Sequence, residues 1–369
     1  MLNIFTFINR DPALLEIKEK LKQTPQKVFI NSKEREIIQE TKRKTSRLNL
    51  NNITRTKAYL EFYKEFPEIE WAFLAHLVSR NAGWNMTDLQ GSFLSALITD
   101  KEKETFFNFL ERANWLIFQD AYPQLLLYKE SIQQQTNLFH LLTSCGVSYF
   151  MEVLWNHFYH YRNKYLLSTA LIINEQSYIE KRVIQHTTYQ KSILKSAEFK
   201  IQDFLQLNQI LFPYHDKQKI KLLGQSVHHF ASLEERILLG KRLYQIVFDN
   251  MYYLTIFDWA KNHTHTGSRS DFWPQLFHPI NENLPGKLQN PMIENCKVIS
   301  ASARIYSPVL SSSWPNSTQV AAENGDWFSK WQVIGYLKKH EKDLQTDMTR
   351  QYCQSIEKLQ FAAIAKGMI

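Results

Sequence analysis

Glycine and cysteine are both scarce in this chain, which has ten glycines and three cysteines among its 369 residues. The strings G-x-G-x-x-G and G-x-x-x-x-G-K-[ST] do not occur, which argues against the phosphate-binding loops of Rossmann and P-loop nucleotide-binding proteins. G-x-S-x-G is absent as well, so an α/β-hydrolase is disfavoured. The composition, with 44% hydrophobic and 22% charged residues, is typical of an ordered globular protein.

The three cysteines, Cys145, Cys296 and Cys353, are odd in number and scattered. We therefore expect no disulfide framework and a reducing compartment. The N-terminus lacks a basic segment, and its apolar run is too short for a signal peptide. No window approaches the roughly 18 apolar residues of a membrane-spanning helix. These features predict a cytoplasmic protein without a transmembrane segment.

The net charge of +8 is unevenly distributed. Residues 1–60 hold 13 Lys+Arg and six Asp+Glu, whereas residues 61–369 carry a net charge of only +1. We predict that 1–60 is a basic helical segment packed on a main domain formed by 61–369. Its densest part, residues 42–47, is interpreted either as a solvated helix face, since glutamates are interleaved with the bases, or as a contact for nucleic acid or anionic lipid.

Apolar residues recur at helical spacing along most of the chain, and alternating strand patterns are nearly absent, so we predict a mainly α fold. Asn31 and Glu34 form a capping-box pattern that opens a helix to about Arg47. Asp100 is expected to cap a helix over 101–120, and Pro123 to begin the next one, because proline suits the first turn. Further helices are predicted before and after Pro67, and over 148–164, 174–186, 196–207, 216–230, 232–260, 326–340 and 346–366.

The stretch 262–324 departs from this pattern, because it holds six of the 11 prolines. Irregular segments of this length are usually either functional or disordered. Phe272, Trp273 and Trp314 are aromatic anchors of the kind that disordered linkers lack, so they favour order. A short strand is expected within 296–305. We predict a single large multi-helix domain in which 262–324 forms a long, ordered, proline- and aromatic-rich loop region.

A first group of polar residues lies on the helix predicted after Pro67. His76, Arg80 and Trp84 follow one another at four-residue steps, so they share one helix face. A buried arginine beside histidine and amide side chains suggests an anion-binding cluster, because guanidinium binds carboxylate or phosphate in bidentate fashion. In the structural alternative, Arg80 bonds an acidic side chain and Asp88 or Thr87 caps the following helix. The candidate binding residues here are His76, Arg80, Asn81, Trp84, Asn85 and Asp88.

A second group lies at the end of the helix predicted over 232–260 and in the loop after it. Asp258 extends an apolar stripe through Val247, Met251 and Leu254, and a buried carboxylate near a helix C-terminus needs a partner. Imidazoles beside carboxylates suit metal ligation or acid/base chemistry, although the spacing matches no known metal motif and H-E-x-x-H is absent. In the structural alternative, Asp258 is neutralised and the histidines make loop hydrogen bonds. The catalytic candidates are Asp258, His263 and His265, and the binding candidates are Arg269, Asp271 and His278.

Two other histidines receive structural interpretations. His157 lies on an apolar helical stripe and is expected to be a hydrogen-bonded core residue. The pair His215-Asp216 is compared with the His-Asp pair of helical HD phosphohydrolases, but it follows Pro213 and precedes lysines instead of lying in an apolar helix. Asp216 is therefore interpreted as a helix cap.

Two strings are distinctive: HLVSRNAGWNMTDLQG over residues 76–91 and TGSRSDFWP over residues 266–274. In these strings, and over most of its length, the chain resembles the YppC-like proteins, an uncharacterised family of Gram-positive spore-forming bacteria. The family has no established activity, so the resemblance implies neither a substrate nor a catalytic residue. It implies a bacterial protein of the cytosol.

Three hypotheses about function follow. The leading one is a cytosolic interaction or structural protein with a polar, anion-binding pocket where the two polar groups meet in space. The alternative is a metal-assisted or acid/base hydrolase that uses the same pocket, with Asp258 and a loop histidine as its acid/base groups or ligands. The third is a peripheral binder of nucleic acid or a membrane surface through the basic N-terminal segment. The sequence identifies no cofactor, and no metal site is assigned.

Overall fold

The computed structural model describes residues 11–24, 29–189, 209–227, 229–248, 251–282, 290–299, 303–339 and 346–368. Most of these residues lie in helices, so the prediction of a mainly α fold is confirmed. The long helices are α1 (Pro12–Leu21), α2 (Ser32–Leu48), α3 (Asn52–Glu65), α4 (Glu70–Asp88), α5 (Asp100–Gln133), α6 (Tyr149–Tyr161), α7 (Lys164–Ile179), α8 (Leu233–Phe248), α9 (Tyr253–Asn262) and α10 (Thr349–Met368). Shorter helical turns lie at Leu94–Leu97, Phe139–Leu141, Thr143–Cys145, Glu180–Ile184, Thr187–Tyr189, Arg269–Asp271, Leu310–Ser313 and Trp331–Leu337. The strands are β1 (Gln209–Asp216), β2 (Lys219–Ser226), β3 (Phe277–His278), β4 (Ile293–Glu294), β5 (Lys297–Val298) and β6 (Ile305–Tyr306).

Helix boundaries follow capping residues where the sequence shows them. The Asn31 side chain accepts a hydrogen bond from the backbone N–H of Glu34, and the Glu34 carboxylate accepts one from the N–H of Asn31. The predicted capping box at the start of α2 is therefore confirmed. The separation of two helices at Pro67 is confirmed as well, because α3 ends and α4 begins on either side of it.

The prediction of two helices that meet near Pro123 is wrong, because α5 continues through this proline. Its N-cap is Thr99 instead of Asp100, since the Thr99 hydroxyl accepts from the N–H of Glu102 and the Glu102 carboxylate accepts from the N–H of Thr99. A proline inside a helix removes one i→i−4 hydrogen bond. The central turns of α5 pack against α2, α3, α4 and α7, and this burial offsets the lost bond.

Other predicted helices differ in their bounds. The helix predicted over 174–186 begins earlier, as α7, and ends in the π-helical turn Glu180–Ile184. The helix predicted over 232–260 is divided into α8 and α9. The one predicted over 326–340 is reduced to the 3-10 segment Trp331–Leu337, whereas those over 148–164 and 346–366 correspond to α6 and α10. The helix predicted over 196–207 lies outside the described residues.

The largest departure from the predicted helices is a β-hairpin. Strands β1 and β2 pair in antiparallel register where a helix was predicted over 216–230. Asp216 is therefore not a helix cap, and its carboxylate pairs with Lys221 across the hairpin. Residues Leu211, Phe212, Pro213 and Tyr214 are all buried, so β1 lacks the alternation that marks a half-exposed strand.

Both edges of this hairpin are closed. The Asn81 side chain, from α4, accepts a hydrogen bond from the N–H of Leu211 and donates one to its carbonyl oxygen, both at 2.8 Å. On the other edge, the N–H of Gly224 donates to the carbonyl of Thr346, and β2 continues to bond with the residues that precede α10. Pro213 faces the same edge as Leu211, because strand residues two apart share an edge, so its missing N–H breaks no ladder bond.

Replacing Asn81 by alanine should destabilise the protein by about 2–3 kcal/mol, because a buried backbone N–H and a buried carbonyl lose their partners together. Urea denaturation measures this change. Asn114→Ala is the matched control, since among the described residues its side chain bonds just the carbonyl of Leu110 within α5, and it should cost less than about 1 kcal/mol. Equal losses in the two variants would contradict a closed strand edge.

The region 262–324 contains short elements between its prolines. Strands β3 and β6 pair in parallel, and β4 and β5 pair in antiparallel fashion. The strand expected within 296–305 corresponds to β5 and β6, which belong to different pairs. Aromatic residues hold the region against the helices: Phe272 packs on Trp84 with ring centroids 4.8 Å apart, and Trp314 stacks on Phe107 at 4.2 Å.

A carboxylate is buried inside the helical core. Asp120 of α5 is 3% exposed and accepts hydrogen bonds from the side-chain amides of Gln124 and Asn174. The network continues from Gln124 to the indole N–H of Trp155, and from Asn174 to that of Trp327. Among the described residues, no cation lies within ion-pair distance of Asp120, and burial raises the pKa of its carboxyl to about 7.

Asp120→Asn should therefore become more stable than the original protein as pH rises. A carboxyl with a raised folded-state pKa contributes stability that is complete below its unfolded pKa of about 4 and is lost as pH rises through about 7. The asparagine cannot ionise, so we expect a gain that grows between about pH 4 and pH 7 to roughly 4 kcal/mol and vanishes below about pH 4. Urea denaturation across this range tests it. Asp100→Asn, at the exposed start of α5, should show no such gain.

Two findings concern membranes and cysteines. In the part of the chain that the structure describes, no helix is long and apolar enough to cross a membrane. Cys296 and Cys353 form a disulfide with their Cα atoms 5.6 Å apart, so two of the three cysteines are paired although no disulfide framework was predicted. Cys145 is free. The two cysteines are separated by 57 residues, so no local pattern in the sequence indicates the disulfide.

The predicted division of the chain into a basic N-terminal segment, 1–60, and a main domain, 61–369, stays a prediction.

Candidate functional site

Helix α4 and the loop 263–271 lie against each other, so the two groups of polar residues singled out in the sequence come together. Arg269 is the main link and is 1% exposed. Its Nε and Nη2 donate to one carboxylate oxygen of Asp88, at 3.0 and 2.8 Å, and Nη2 also donates to the amide oxygen of Asn85 at 2.9 Å. Asn85 and Asp88 share a face of α4 because they are three residues apart.

Asp271 makes a second link between the loop and α4. Its carboxylate accepts hydrogen bonds from the indole N–H of Trp84 at 3.1 Å and from the N–H and hydroxyl of Thr266 at 3.0 and 2.6 Å. The ring of His265 lies 3.3 Å from the same carboxylate. Burial alone would raise the pKa of Asp271, but these hydrogen bonds hold it below its usual value. Asp271 therefore anchors the loop as an ionised group.

Arg80 ends against the last turn of α9. Its Nη2 donates to the carbonyl oxygens of Ala260, at 3.3 Å, and of His263, and its guanidinium lies 4.7 Å from the centroid of the Trp259 ring. The last carbonyls of a helix lack intrahelical partners and carry the negative end of its dipole. Arg80 therefore caps the C-terminus of α9, in place of the predicted bond to an acidic side chain. Burial lowers the pKa of Arg80 to about 10, so the group stays charged at neutral pH.

The two buried histidines of the cluster have their ring nitrogens engaged. Nδ1 of His76 donates to the carbonyl of Thr56 at 2.8 Å, and its Nε2 accepts from Arg80 at 3.1 Å. Nε2 of His265 lies 2.8 Å from the side-chain oxygen of Asn52. Burial lowers the pKa of both rings. With exposures of 1% and 7%, neither ring is placed to exchange a proton with a substrate.

Gly83 allows this close approach of the loop to α4. A Cβ atom at this position would lie 2.3 Å from the side-chain oxygen of Asn52 and 2.5 Å from Nε2 of His265. Glycine inside a helix costs about 1 kcal/mol relative to alanine. The contact between α3, α4 and the loop explains why the distinctive string 76–91 contains it.

Asp258 forms no hydrogen bond or ion pair with the cluster in the described part of the chain, and the prediction that it is buried is wrong. Asp258 is exposed and accepts a hydrogen bond from Asn262 on its own helix. Met251 and Leu254 are 86% and 72% exposed, whereas the buried face of α9 is formed by Ile256, Trp259 and Ala260. The stripe was extended from α8 into what is a second helix, and the break between them changes the helical phase.

Two of the candidate histidines also make local contacts. His278, in β3, bonds the carbonyl of Ile280 and lies 3.5 Å from Glu282. His263 is half-buried, and its ring donates to the carbonyl of Trp259 at 2.8 Å. Within the described residues, no three His, Cys, Asp or Glu side chains form a group that could hold a metal ion.

Two residues that the sequence did not indicate complete the cluster. Asn52 bonds His265 and donates to the carbonyl of Ser79 at 2.8 Å. Ser307 accepts a hydrogen bond from the N–H of Arg269 at 2.8 Å on its hydroxyl and another from the Ser268 hydroxyl on its carbonyl. Most of these contacts join residues far apart in the chain, so no local pattern marks the two residues. Elsewhere, His157 is 3% exposed, which agrees with the predicted inward orientation, but its Nδ1 has no hydrogen-bond partner within the described residues, in contrast to the predicted hydrogen-bonded histidine.

A different surface carries the positive charge of the N-terminal part. Helix α2 buries Ile38, Thr41 and Thr45 and exposes its opposite side. There Arg43 pairs with Glu40 at 2.7 Å. We call the exposed basic side chains of α2, on this side and on both flanks of the helix, the cationic face of α2; they are Lys33, Arg35, Lys42, Arg43 and Arg47. Of these, Lys33, Lys42 and Arg47 form no ion pair with a described residue.

A groove of about 240 Å³ lies beside the cationic face, between α2 and α5. Its lining combines apolar side chains with charged groups of both signs. The lining residues are Glu36, Ile37, Glu40, Thr41, Lys44, Leu126, Lys129, Glu130 and Gln133. An apolar lining beside charged side chains is the usual construction of a protein–protein contact.

Comparison with known proteins gives one family and one curated relative. The family model described as "Protein of unknown function (DUF2515)" matches residues 47–356. The chain is 41% identical over 264 residues to "Uncharacterized protein YppC" of Bacillus subtilis (strain 168), and this alignment covers 71% of the chain and 79% of the relative. The resemblance to YppC-like proteins is thereby confirmed. No solved structure matches.

Proposed function

This chain belongs to the DUF2515 family, whose description assigns no activity, and from that premise we propose that it is a helical interaction protein. Its cationic face on α2 docks an acidic segment of a partner protein. One observation carries the proposal: Lys33, Lys42 and Arg47 are exposed cations that form no ion pair with described residues. The other strongly polar group, around Arg80 and Arg269, bonds within the chain.

The cluster around Arg80 and Arg269 supports a scaffolding role. Each arginine donates to groups of its own chain, and each guanidinium lies over a tryptophan ring. The binding role given to these residues in the sequence analysis stays a prediction. Its support consists of three buried donors, Nη1 of Arg80, Nη1 of Arg269 and Nε1 of Trp259, that have no hydrogen-bond partner within the described residues.

The cationic face is suited to steering an acidic partner. Lys33 and Arg47 are 14 positions apart, which spans about 21 Å at 1.5 Å per helical residue. Exposed cations without local partners attract a complementary surface and accelerate its association, and this attraction weakens as salt increases. The C-terminal half of α2 contains Lys42, Arg43 and Arg47, so the positive charge is concentrated at one end of the helix.

The distribution of charge favours an acidic protein segment over nucleic acid. Nucleic-acid-binding surfaces present basic residues over an extended stripe that follows the phosphates. Here residues 61–369 carry a net charge of only +1, so the excess is confined to the N-terminal part. Glu36 and Glu40 also lie beside the cations, where they would repel phosphate groups but match a partner with charges of both signs.

The groove between α2 and α5 offers the same partner an anchoring point. Ile37 and Leu126 supply apolar surface next to the cationic face. Binding energy in protein interfaces is concentrated in a few side chains that fill such pockets, and surrounding charges mainly set orientation and rate. An acidic segment with one apolar residue fits this arrangement.

The hydrolase alternative has no support in these contacts. Asp258 is exposed and accepts a hydrogen bond from Asn262 on its own helix. His76 and His265 are buried and engaged, so the cluster does not present an acid/base pair toward solvent. We place the proposed interaction in the cytoplasm, with support from the low cysteine content of the chain.

The test uses purified full-length protein and three probes: poly-L-glutamate, polyuridylate, and vesicles that contain phosphatidylglycerol. We expect binding to poly-L-glutamate that weakens with salt and falls at least tenfold in the triple variant Lys42→Gln, Arg43→Gln and Arg47→Gln. The matched control replaces three exposed lysines elsewhere, at Lys217, Lys219 and Lys261. This control should bind within about twofold of the original protein.

Three results would overturn the proposal. Tighter binding to polyuridylate or to the vesicles than to poly-L-glutamate would assign the cationic face to nucleic acid or to a membrane surface. An equal loss in the control variant would show that net charge, and not the cationic face, determines binding. Absence of binding to poly-L-glutamate in low salt would remove the acidic-segment partner altogether.

A further inference from the structure

The disulfide between Cys296 and Cys353 joins two elements that also bond through other groups. Cys296 lies in the turn between β4 and β5, and Cys353 lies in α10. Gln360 of α10 is fully buried, accepts hydrogen bonds from the N–H groups of Met292 and Ile293 at 2.7 and 3.0 Å, and donates to the carbonyl of Ile293 at 3.0 Å. These bonds join the turn to α10 through groups other than the sulfur atoms.

The two cysteines differ in access. Cys296 is partly exposed, at the tip of a turn where its φ of 60° places the backbone in the left-handed region. Cys353 is 7% exposed, beneath that turn. An incoming thiolate therefore reaches the sulfur of Cys296 first, because exchange requires direct approach to one sulfur of the disulfide. Cys145 is half-buried and unpaired, so it provides an internal reference.

We propose that Cys296 and Cys353 form a reversible exchange site for low-molecular-weight thiols and disulfides. A small thiolate attacks the sulfur of Cys296. The buried sulfur of Cys353 is the leaving group in reduction and the attacking thiolate when the disulfide forms again. The inference does not depend on docking at the cationic face. It uses only the cytoplasmic location proposed above, where a disulfide is typically transient and redox-responsive.

The exchange conserves atoms and electrons with small thiols and small disulfides as its sole co-reactants. A small thiolate attacks Sγ of Cys296, a mixed disulfide forms there, and the bond to Cys353 breaks with release of its thiolate, which takes up a proton. A second small thiolate then attacks the sulfur of the small molecule, so that Cys296 leaves as a thiolate and is protonated. Two small thiols have become one small disulfide, and the protein disulfide has become two thiols. Oxidation follows the same steps in reverse.

Gln360 acts as a positioning residue for this chemistry. After reduction, its three hydrogen bonds still hold β4 beside α10, so the two thiols remain neighbours. Two thiols that are held side by side have a high effective concentration relative to each other, which favours the protein disulfide over two separate mixed disulfides. The N–H of Cys296 also donates to the carboxylate of Glu357 at 3.3 Å, which fixes the turn on the same helix.

The first measurement equilibrates full-length protein with mixtures of reduced and oxidised glutathione, followed by alkylation and intact mass. We expect a reversible change of two thiols at ratios where Cys145 stays a thiol. Cys353→Ser should accumulate one glutathione on Cys296, whereas Cys296→Ser should acquire its adduct at Cys353 at least tenfold more slowly, because that sulfur is buried. Equal adduct rates, or a pair that stays in one state at every ratio, would overturn the proposal.

The second measurement compares Gln360→Ala with Gln354→Ala, an exposed glutamine on the same helix. We expect the equilibrium constant for forming the disulfide to fall about tenfold in Gln360→Ala and to stay within about twofold in Gln354→Ala. Circular dichroism establishes that both variants retain their helices. If the equilibrium constant were unchanged in a folded Gln360→Ala protein, Gln360 would have no positioning role, and the two thiols would not be preorganised by its hydrogen bonds.

Discussion

Replacing Arg55 by methionine should lower the free energy of unfolding by about 3–5 kcal/mol, because it leaves a buried carboxylate without its cation. Arg55 of α3 and Glu111 of α5 form an ion pair whose side chains are 1% and 4% exposed. Arg55 also donates to the side-chain oxygen of Asn49 at 3.2 Å. The pair therefore joins two helices inside the core, where the remaining charge cannot be hydrated.

The double variant Arg55→Met with Glu111→Leu should recover most of the loss, since replacing a whole buried ion pair by apolar side chains is often neutral or stabilising. Urea denaturation of the original protein, both single variants and the double variant gives a double-mutant cycle, which measures the coupling energy between Arg55 and Glu111. Lys129→Met is the control, because its pair with Glu65 has side chains that are 34% and 46% exposed and should contribute less than about 1 kcal/mol. Additive losses at Arg55 and Glu111 would contradict the coupling.

Arg269→Leu should cost about 2–4 kcal/mol and release the loop 263–271 from α4. The change removes three hydrogen bonds to Asp88 and Asn85, and the Asp88 carboxylate, which is 23% exposed, keeps part of its hydration. Urea denaturation measures the loss, and hydrogen exchange measures release of the loop. The backbone N–H groups of Thr266 and Ser270, both bonded within the loop, should exchange faster.

Arg304→Leu is the matched control for Arg269→Leu. Arg304 lies in the same proline-rich region and pairs with Glu282, but its side chain is 35% exposed. It should cost less than about 1 kcal/mol and leave exchange in the loop 263–271 unchanged. Comparable losses in the two variants would mean that burial of Arg269 contributes nothing to the stability of the loop.

The helices were predictable because most of them bury one face, and that burial imposes a period on the sequence. The hairpin was not, since β1 is buried on both faces and its apolar run has no alternation to distinguish it from a helix. Pro123 misled the helix assignment for a related reason. A helix-breaking tendency is local, and packing of α5 against four other helices outweighs it.

The candidate site also has features that were predictable from the sequence and features that were not. Arg80 and Asp88 were singled out as members of a polar group on one helix, and Arg269 as a binding candidate in the loop, and all three lie at the contact between α4 and the loop. Their partners were not predictable, since the bonds from Arg80 and Arg269 to the other segment cross about 180 positions of chain. The prediction that Asp258 is buried was wrong because the helical phase is lost at the break between α8 and α9.

The closed edges of the hairpin also have a consequence during synthesis. Asn81 is already made when β1 leaves the ribosome, so that edge can be covered at once. The residues that cover β2, beginning at Thr346, follow about 120 positions later. At roughly 5–20 residues per second, β2 presents unpaired backbone groups for on the order of ten seconds. Each new chain therefore passes through an interval in which this strand is a template for pairing with a neighbouring nascent chain.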